Sequence, residues 1–271
     1  MTTSGQVTHE EYTPGYGNTV VDSYAQRTAV SEAAFFVPHL TAGMRLLDCG
    51  SGPGTITVGL ARAVDPGQVI GIDVDAGQVE RARAHAAELG VTNVSFQVAS
   101  VYELPFDRAS FDAVFAHAVL QHLREPLAAL EQMRRVVRPG GVVGVRDDDA
   151  GTLAIGPPSE EMREVTELLE LVTRAGGGDP RVGLRHRQLL RQAGFTDIVA
   201  SATARAHGGS AGTAAQGDVA AALLEHMAPT ITASGWATAD RVRQLAEACR
   251  RWGTDPDAFD VITWCEAVGR A

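Results

Sequence analysis

The stretch "LLDCGSGPGTITVGLA", Leu46 to Ala61, sets three glycines at alternate positions, Gly50, Gly52 and Gly54. They stand between a short apolar run and a segment of helical pattern. That much bare backbone at a strand-to-helix turn serves positive φ or close approach to a ligand. The chain around it repeats the same alternation. "MRLLDCG", "QVIGIDVD", "NVSFQV", "SFDAVFAHAVL" and "PGGVVGVRD" read as strands. "TITVGLARAV", "AGQVERARAHAAEL" and "PLAALEQMRRVV" read as the helices that separate them. Such alternation predicts an α/β fold, a doubly wound and mostly parallel sheet. Sheets of this kind take ligands beyond the carboxyl ends of their strands, which is where the glycines lie.

Glycine spacing narrows the ligand. The nicotinamide fingerprint G-x-G-x-x-G needs a glycine where this chain has Thr55. The pattern here is G-x-G-x-G, with Asp48 two residues ahead of Gly50. It suits a smaller nucleoside cofactor carrying an amino-acid tail. Asp73 ends the next strand, about twenty residues on, where a carboxylate grips a ribose diol and repels a 2′-phosphate. Asp75 reads as the N-cap of the helix that follows.

Composition limits the partners. A formal net charge of -10 disfavours a nucleic-acid partner. Cys49, Cys249 and Cys265 are far apart and lack metal-ligand spacing, which points to a reducing cytoplasm and no metal site. The N-terminus has no apolar signal-peptide core, and no apolar run is long enough to cross a bilayer.

"LLDCGSGPG", "VIGIDVD", "YELPF", "SFDAVFAHAVLQHL" and "VVRPGGVV", in that order, resemble the class I S-adenosylmethionine-dependent methyltransferases. They are most similar to the small-molecule branch with the ubiquinone and menaquinone methyltransferases. The resemblance implies a seven-stranded Rossmann-like sheet and S-adenosylmethionine as cofactor. Gly50, Gly52 and Gly54 would then pass under its methionine and ribose parts. Asp48 would hold the loop or the cofactor amine, and Asp73 the ribose hydroxyls, with Val74 against the adenine. The family usually places an aspartate after the third strand; this chain has Ser100, so Ser100 and the Val101 backbone would read the adenine. Arg27 would meet the cofactor carboxylate. His117, after the fourth strand, contacts the cofactor or serves as the proton acceptor.

The rest of the chain is expected to cover the acceptor. We expect a single domain over 1–271, with an N-terminal lid in 1–40 and a cofactor core in 41–150. Insertion helices and the last strands would occupy 151–271, with "DVITWCEAVGR" folding back antiparallel beside the sixth strand. In the catalytic reading His117 is the base. Its partner among Asp147, Asp148 and Asp149, which follow the fifth strand, is taken as Asp148. His122 is the rival histidine, read as structural. Tyr16, in "YTPGYGNTVVDSY", would place a hydroxyl against the acceptor. The function expected is methyl transfer to a small natural-product-like acceptor, at oxygen, nitrogen or carbon, by a cytoplasmic enzyme and possible homodimer. A nicotinamide oxidoreductase and a non-catalytic cofactor-binding protein are the alternatives.

Overall fold

The computed structural model describes residues 27–271; Tyr16 and most of the expected N-terminal lid lie outside them. Seven strands form one sheet in the order β3-β2-β1-β4-β5-β7-β6. The parallel strands are β1 (Leu46–Cys49), β2 (Val69–Asp73), β3 (Val94–Val98), β4 (Phe111–His117) and β5 (Val137–Gly156). β7 (Phe259–Arg270) runs antiparallel between β5 and the outermost strand β6 (Thr196–His207). The expected antiparallel return beside the sixth strand is thus present, and β7 also separates β6 from β5.

Local chemistry accounts for the elements. β1 is buried at every position, as expected for a central parallel strand covered on both faces. Helix α1 is a single turn, Ala29–Glu32, closed by a Thr28–Ser31 capping box. α2 (Thr55–Val64) starts at Gly54, whose φ of 81° only glycine adopts readily. α3 (Ala76–Glu88) starts where the Asp75 carboxylate accepts the Gln78 N–H at 2.8 Å, a cap worth about 1 kcal/mol. α4 (Pro126–Val136) opens on a proline, whose missing N–H costs nothing at that position.

The sheet has two unlike faces. Residues 114, 116, 143 and 145 join α4 and α6 (His186–Gln192) in the larger core. Residues 113, 115, 142 and 268 face the N-terminal segment. There Phe36 stacks on Phe115 with centroids 5.2 Å apart, over the bare backbone of Gly144. Toward the carboxyl end of β4 and β5 this second face turns from apolar to ionic.

One correction concerns β5. The aspartates at 147, 148 and 149 do not follow the strand. They lie inside it, opposite Cys265, Trp264 and Thr263 of β7. β7 supplies a hydrogen-bonding edge that the first five strands alone would lack, so β5 continues to Gly156.

Helices α5 (Glu160–Ala175), α7 (Ser210–Ala233) and α8 (Ala239–Gly253) form a layer with its own core. Met162, Val165, Leu168 and Val172 recur at helical spacing and pack with Leu224, Leu245 and Trp252. α7 and α8 meet where a Cβ on Gly217 would stand 2.5 Å from the Cys249 carbonyl. The layer is tied to the carboxyl end of β5 by Trp252, whose Nε1–H donates to the Gly156 carbonyl at 2.9 Å. No helix among the described residues is long and apolar enough to cross a membrane.

Candidate active site

Gly50, Gly52 and Gly54 have φ of 75°, 51° and 81°. The loop is fastened from below: Gly50 and Ser51 donate their N–H groups to the Ile72 carbonyl. Asp48 does the same from β1. It is buried, and its Oδ2 accepts the Thr57 hydroxyl at 2.6 Å. Burial pushes the Asp48 carboxyl up to about 7, the Thr57 hydrogen bond opposing and the charge of Asp73 adding to the rise. Asp48 therefore ties β1 to α2.

Asp73 closes β2 with one oxygen on the Gly52 N–H (2.9 Å) and the other on the Asp75 N–H (3.0 Å). Each oxygen keeps a lone pair for a further donor. Burial raises its pKa against those two hydrogen bonds. Beside it Val74 is an exposed apolar side chain. Ser100 Oγ accepts the Tyr102 N–H at 3.2 Å, and Val101 is buried next to it. Three observations fit a nucleoside cofactor with an amino-acid tail. A Cβ on Gly52 would meet no atom of the described residues within 4 Å, so among them space lies open over that backbone. The Ser51 hydroxyl is buried without a hydrogen-bond partner among the described residues. So are both amide atoms of Gln78, at the start of α3.

The second half of the site is built on strand parity. Across β4 and β5, His117 pairs with Arg146; across β5, β7 and β6, Arg146 pairs with Glu266 and Ser201, and Asp148 with Trp264 and Thr203. These side chains share the face covered by the N-terminal segment. Arg146 Nε donates to Glu266 at 3.1 Å, and Arg146 Nη1 contacts Glu32 of α1. Arg205 Nη2 donates to the other oxygen of Glu32 at 2.8 Å. Burial would raise Glu32, but its bond with His117 and the nearby cations outweigh it and hold the carboxyl well below the usual range.

His117 stacks on Trp264, centroids 4.9 Å apart and planes 14° apart. Its Nε2 lies 3.1 Å from Glu32 and 2.9 Å from Arg146 Nη1. Burial lowers its pKa to about 4, so the ring is neutral at physiological pH. The carboxylate beside His117 is thus Glu32, and the expected His117–Asp148 pairing is overturned. Glu32 comes from a helix distant in sequence and carries the negative charge that Arg146 and Arg205 require. The aspartate that does hold a histidine is Asp147, whose Oδ2 lies 2.8 Å from His186 Nε2 on the opposite face. Asp149 pairs with Arg181. Asp148 donates its N–H to Gln121 Oε1 at 3.3 Å. Burial and the charge of Asp147 push its carboxyl up to about 6, with Arg27 opposing. His122 is part-buried beside Gln121, 3.3 Å from its amide nitrogen.

The two halves meet at neighbouring strand ends. Cys49 and Ala116 are paired, so the glycine loop and His117 leave the sheet side by side. A Cβ on Gly50 would stand 2.3 Å from Val119, in the turn after β4. The Arg27 guanidinium lies over Trp264, 5.6 Å from the ring centroid, and its charge reaches His117 and Asp148. Glu32, Arg146, Arg205, Trp264 and Glu266 escaped the sequence reading. One signal was available: "TWCE" read as a strand puts Trp264 and Glu266 on one face, and charged residues in a central strand require partners.

Residues 40–192 match the model of a methyltransferase domain. An uncharacterised methyltransferase of Schizosaccharomyces pombe is 34% identical over 156 residues, 55% of this chain and 56% of that one. An O-methyltransferase of Aspergillus sclerotiorum is 32% identical, over 57% of this chain and 56% of its own. The chain spans about half the length of the curated relatives it matches. A crystal structure of a putative methyltransferase from Bacillus halodurans superposes with a TM-score of 0.59 at 15% identity, covering 89% of this chain and 98% of that one. The glycine loop, the carboxylate at the end of β2 and the strand order agree with that match, and the nicotinamide reading falls away. The chain belongs to the class I S-adenosylmethionine-dependent methyltransferases.

Proposed function

We propose that the enzyme methylates an oxygen atom of a small natural-product-like acceptor. The observation that carries this reading is the row Asp148–Trp264–Thr203, which lies on the same face just beyond the His117–Arg146 pair at the end of β4. The relatives named O-methyltransferases support oxygen as the atom.

When bound, S-adenosylmethionine supplies a methyl group on an electrophilic sulfonium. The chain's own residues have to hold, align and deprotonate. Asp73 Oδ1 and Oδ2 accept the ribose hydroxyls while fixing Gly52 and Asp75. Val74 covers the adenine, Ser100 and the Val101 backbone read its edge, and Arg27 takes the carboxylate. Gly52 lets the backbone touch the ligand, and Asp48 braces the loop through Thr57. Asp148 takes the acceptor's proton on a carboxylate oxygen, because a base works best with a pKa near the working pH. His117, neutral and buried, positions Trp264 by stacking instead of serving as the base. Alignment of acceptor and methyl is worth up to about 7–11 kcal/mol.

The test is calorimetry with S-adenosylmethionine on wild type and Asp73→Ala, beside a mass-spectrometric screen of phenolic acceptors for the gain of one methyl. Loss of hydrogen bonds worth about 1.5–3 kcal/mol each should weaken binding at least ~10²-fold. Equal affinity in the variant would overturn the cofactor geometry. With aromatic amines run beside the phenols, methylation of amines alone would overturn oxygen.

A further inference from the structure

Trp264 holds a donor that no described residue uses. The residue is 5% exposed, and its Nε1–H is buried with no hydrogen-bond partner among the described residues. An unpartnered buried donor is a cost that folding alone gives no reason to keep. The Trp252 indole, by contrast, donates to a backbone carbonyl. The surroundings of Trp264 are cationic. Arg146 lies 4.5 Å from the ring centroid, and Arg27 and Arg205 lie 5.6 Å from it. Arg146 is spent on Glu32, Glu266 and Thr203. Arg205 is half-buried and gives Nη2 to Glu32. Desolvation lowers its pKa, with the like charges of Arg27 and Arg146 adding to the effect and Glu32 and Asp148 opposing.

We propose that Trp264 Nε1–H and the Arg205 guanidinium together bind an oxyanion of the acceptor, a carboxylate or a phenolate. This rests on the methyl-transfer reading and names its substrate class. Trp264 and Asp148 are cross-strand partners, so an aromatic acid anchored at the indole lies beside the base. An oxyanion accepts from both donors at once, and hydrogen bonds to a charged acceptor are the strong ones. A neutral amide in its place offers the two donors a carbonyl dipole and no charge. Trp264 is then a specificity-determining residue, and His117 sets its ring plane from below.

The experiment uses the full chain saturated with S-adenosylhomocysteine. Its three tryptophans give three indole N–H signals in a nitrogen-15 correlation spectrum, and loss of one in Trp264→Phe assigns it. 4-Fluorobenzoate, pentafluorophenolate and the neutral 4-fluorobenzamide are titrated in turn. The Trp264 signal should move with one or both anions and not with the amide; which anion moves it separates carboxylate from phenolate. The active anion should bind about tenfold more tightly than the amide. Trp264→Phe and Arg205→Gln should each remove that preference while S-adenosylhomocysteine affinity stays within about twofold. Equal binding of anion and amide would overturn the proposal, as would a Trp264 signal indifferent to all three. Failure of the wild type to bind S-adenosylhomocysteine would strike the methyl-transfer reading instead, and this one with it.

Discussion

The two halves of the candidate site are built at one sheet edge from different material. On the β1–β2 side the work is done by backbone. Three glycines, two N–H groups on Asp73 and an open space above Gly52 form the cradle. On the β5–β7 side it is done by side chains: guanidiniums, carboxylates, an imidazole and an indole in close contact. A backbone cradle depends on residue type at fixed spacing within one short stretch. A side-chain cradle depends on which strands are neighbours. The first tolerates no substitution at its glycines but demands little from elsewhere. The second draws Glu32, Arg146, Arg205 and Glu266 from four separate elements, so its integrity is that of the fold.

Breaking the first half should have the largest effect. Gly52→Val puts a β-branched residue at φ 51°, a strain of about 1–2 kcal/mol, into space the ligand needs. S-adenosylmethionine affinity should fall by more than ~10³-fold in calorimetry, while the melting temperature drops by only a few degrees. Normal binding would put the cofactor elsewhere.

The second half should respond the opposite way. Glu32→Gln leaves Arg146 and Arg205 short of the charge that balances them. Removing one partner of a buried ion pair costs about 3–5 kcal/mol. That corresponds to a fall in melting temperature of roughly 10 °C, read by calorimetric unfolding. Cofactor affinity in the folded fraction should stay within a few fold. A negligible change in stability would mean the ionic layer carries little of the fold, and the contrast would collapse.

This difference also explains what the sequence discloses. The glycine loop, Asp73 and the order of the first five strands are local patterns. Apolar runs, turn glycines and helix caps such as Asp75 write them into contiguous residues. The antiparallel sense of the last strand was implied by the family resemblance and not by that alternation, which alone predicts parallel neighbours. The insertion of β7 between β5 and β6 was not legible, because strand order is a property of pairing and not of any one segment. Without it the aspartates 147–149 look like a loop, and three adjacent acids offer no parity to choose among. Once β7 is in place, Asp148 and Arg146 share a face, Asp147 turns to His186, and His117 meets Glu32 from 85 residues away. A histidine's partner across that distance leaves no spacing to read.

The base assignment divides the halves by chemistry. Asp148→Asn should lower turnover ~10²-fold with any acceptor found in the methyl-gain screen, at unchanged cofactor affinity. The wild-type carboxyl is held up to about 6 by burial and Asp147, with Arg27 and Gln121 pulling the other way. Only the ionised form accepts a proton. Wild-type turnover should therefore rise as pH climbs through about 6 and level off above it. The variant should lack that limb. If His117 were the base, the limb would lie lower, near 4, and would survive in Asp148→Asn.

The smallest effect tests whether Asp48 belongs wholly to the backbone half. Its carboxyl is raised to about 7, with burial the main cause, whereas an unfolded aspartate titrates near 4. Between those values the folded protein keeps a proton that the unfolded chain has released. The unfolded state then binds fewer protons, so stability falls as pH rises through this window and is flat above it. Asp48→Asn does not titrate, and its amide oxygen still accepts the Thr57 hydroxyl. From about pH 5 to about pH 8 the variant should gain on the wild type by about 2–3 kcal/mol in denaturant unfolding without cofactor. S-adenosylmethionine affinity should change only a few fold, since the bond that matters runs to Thr57. Parallel stability profiles with a large loss of affinity would instead mean that Asp48 is ionised in the fold and faces the cofactor amine. One side chain would then join the backbone cradle, and the contrast between the two halves would be one of degree.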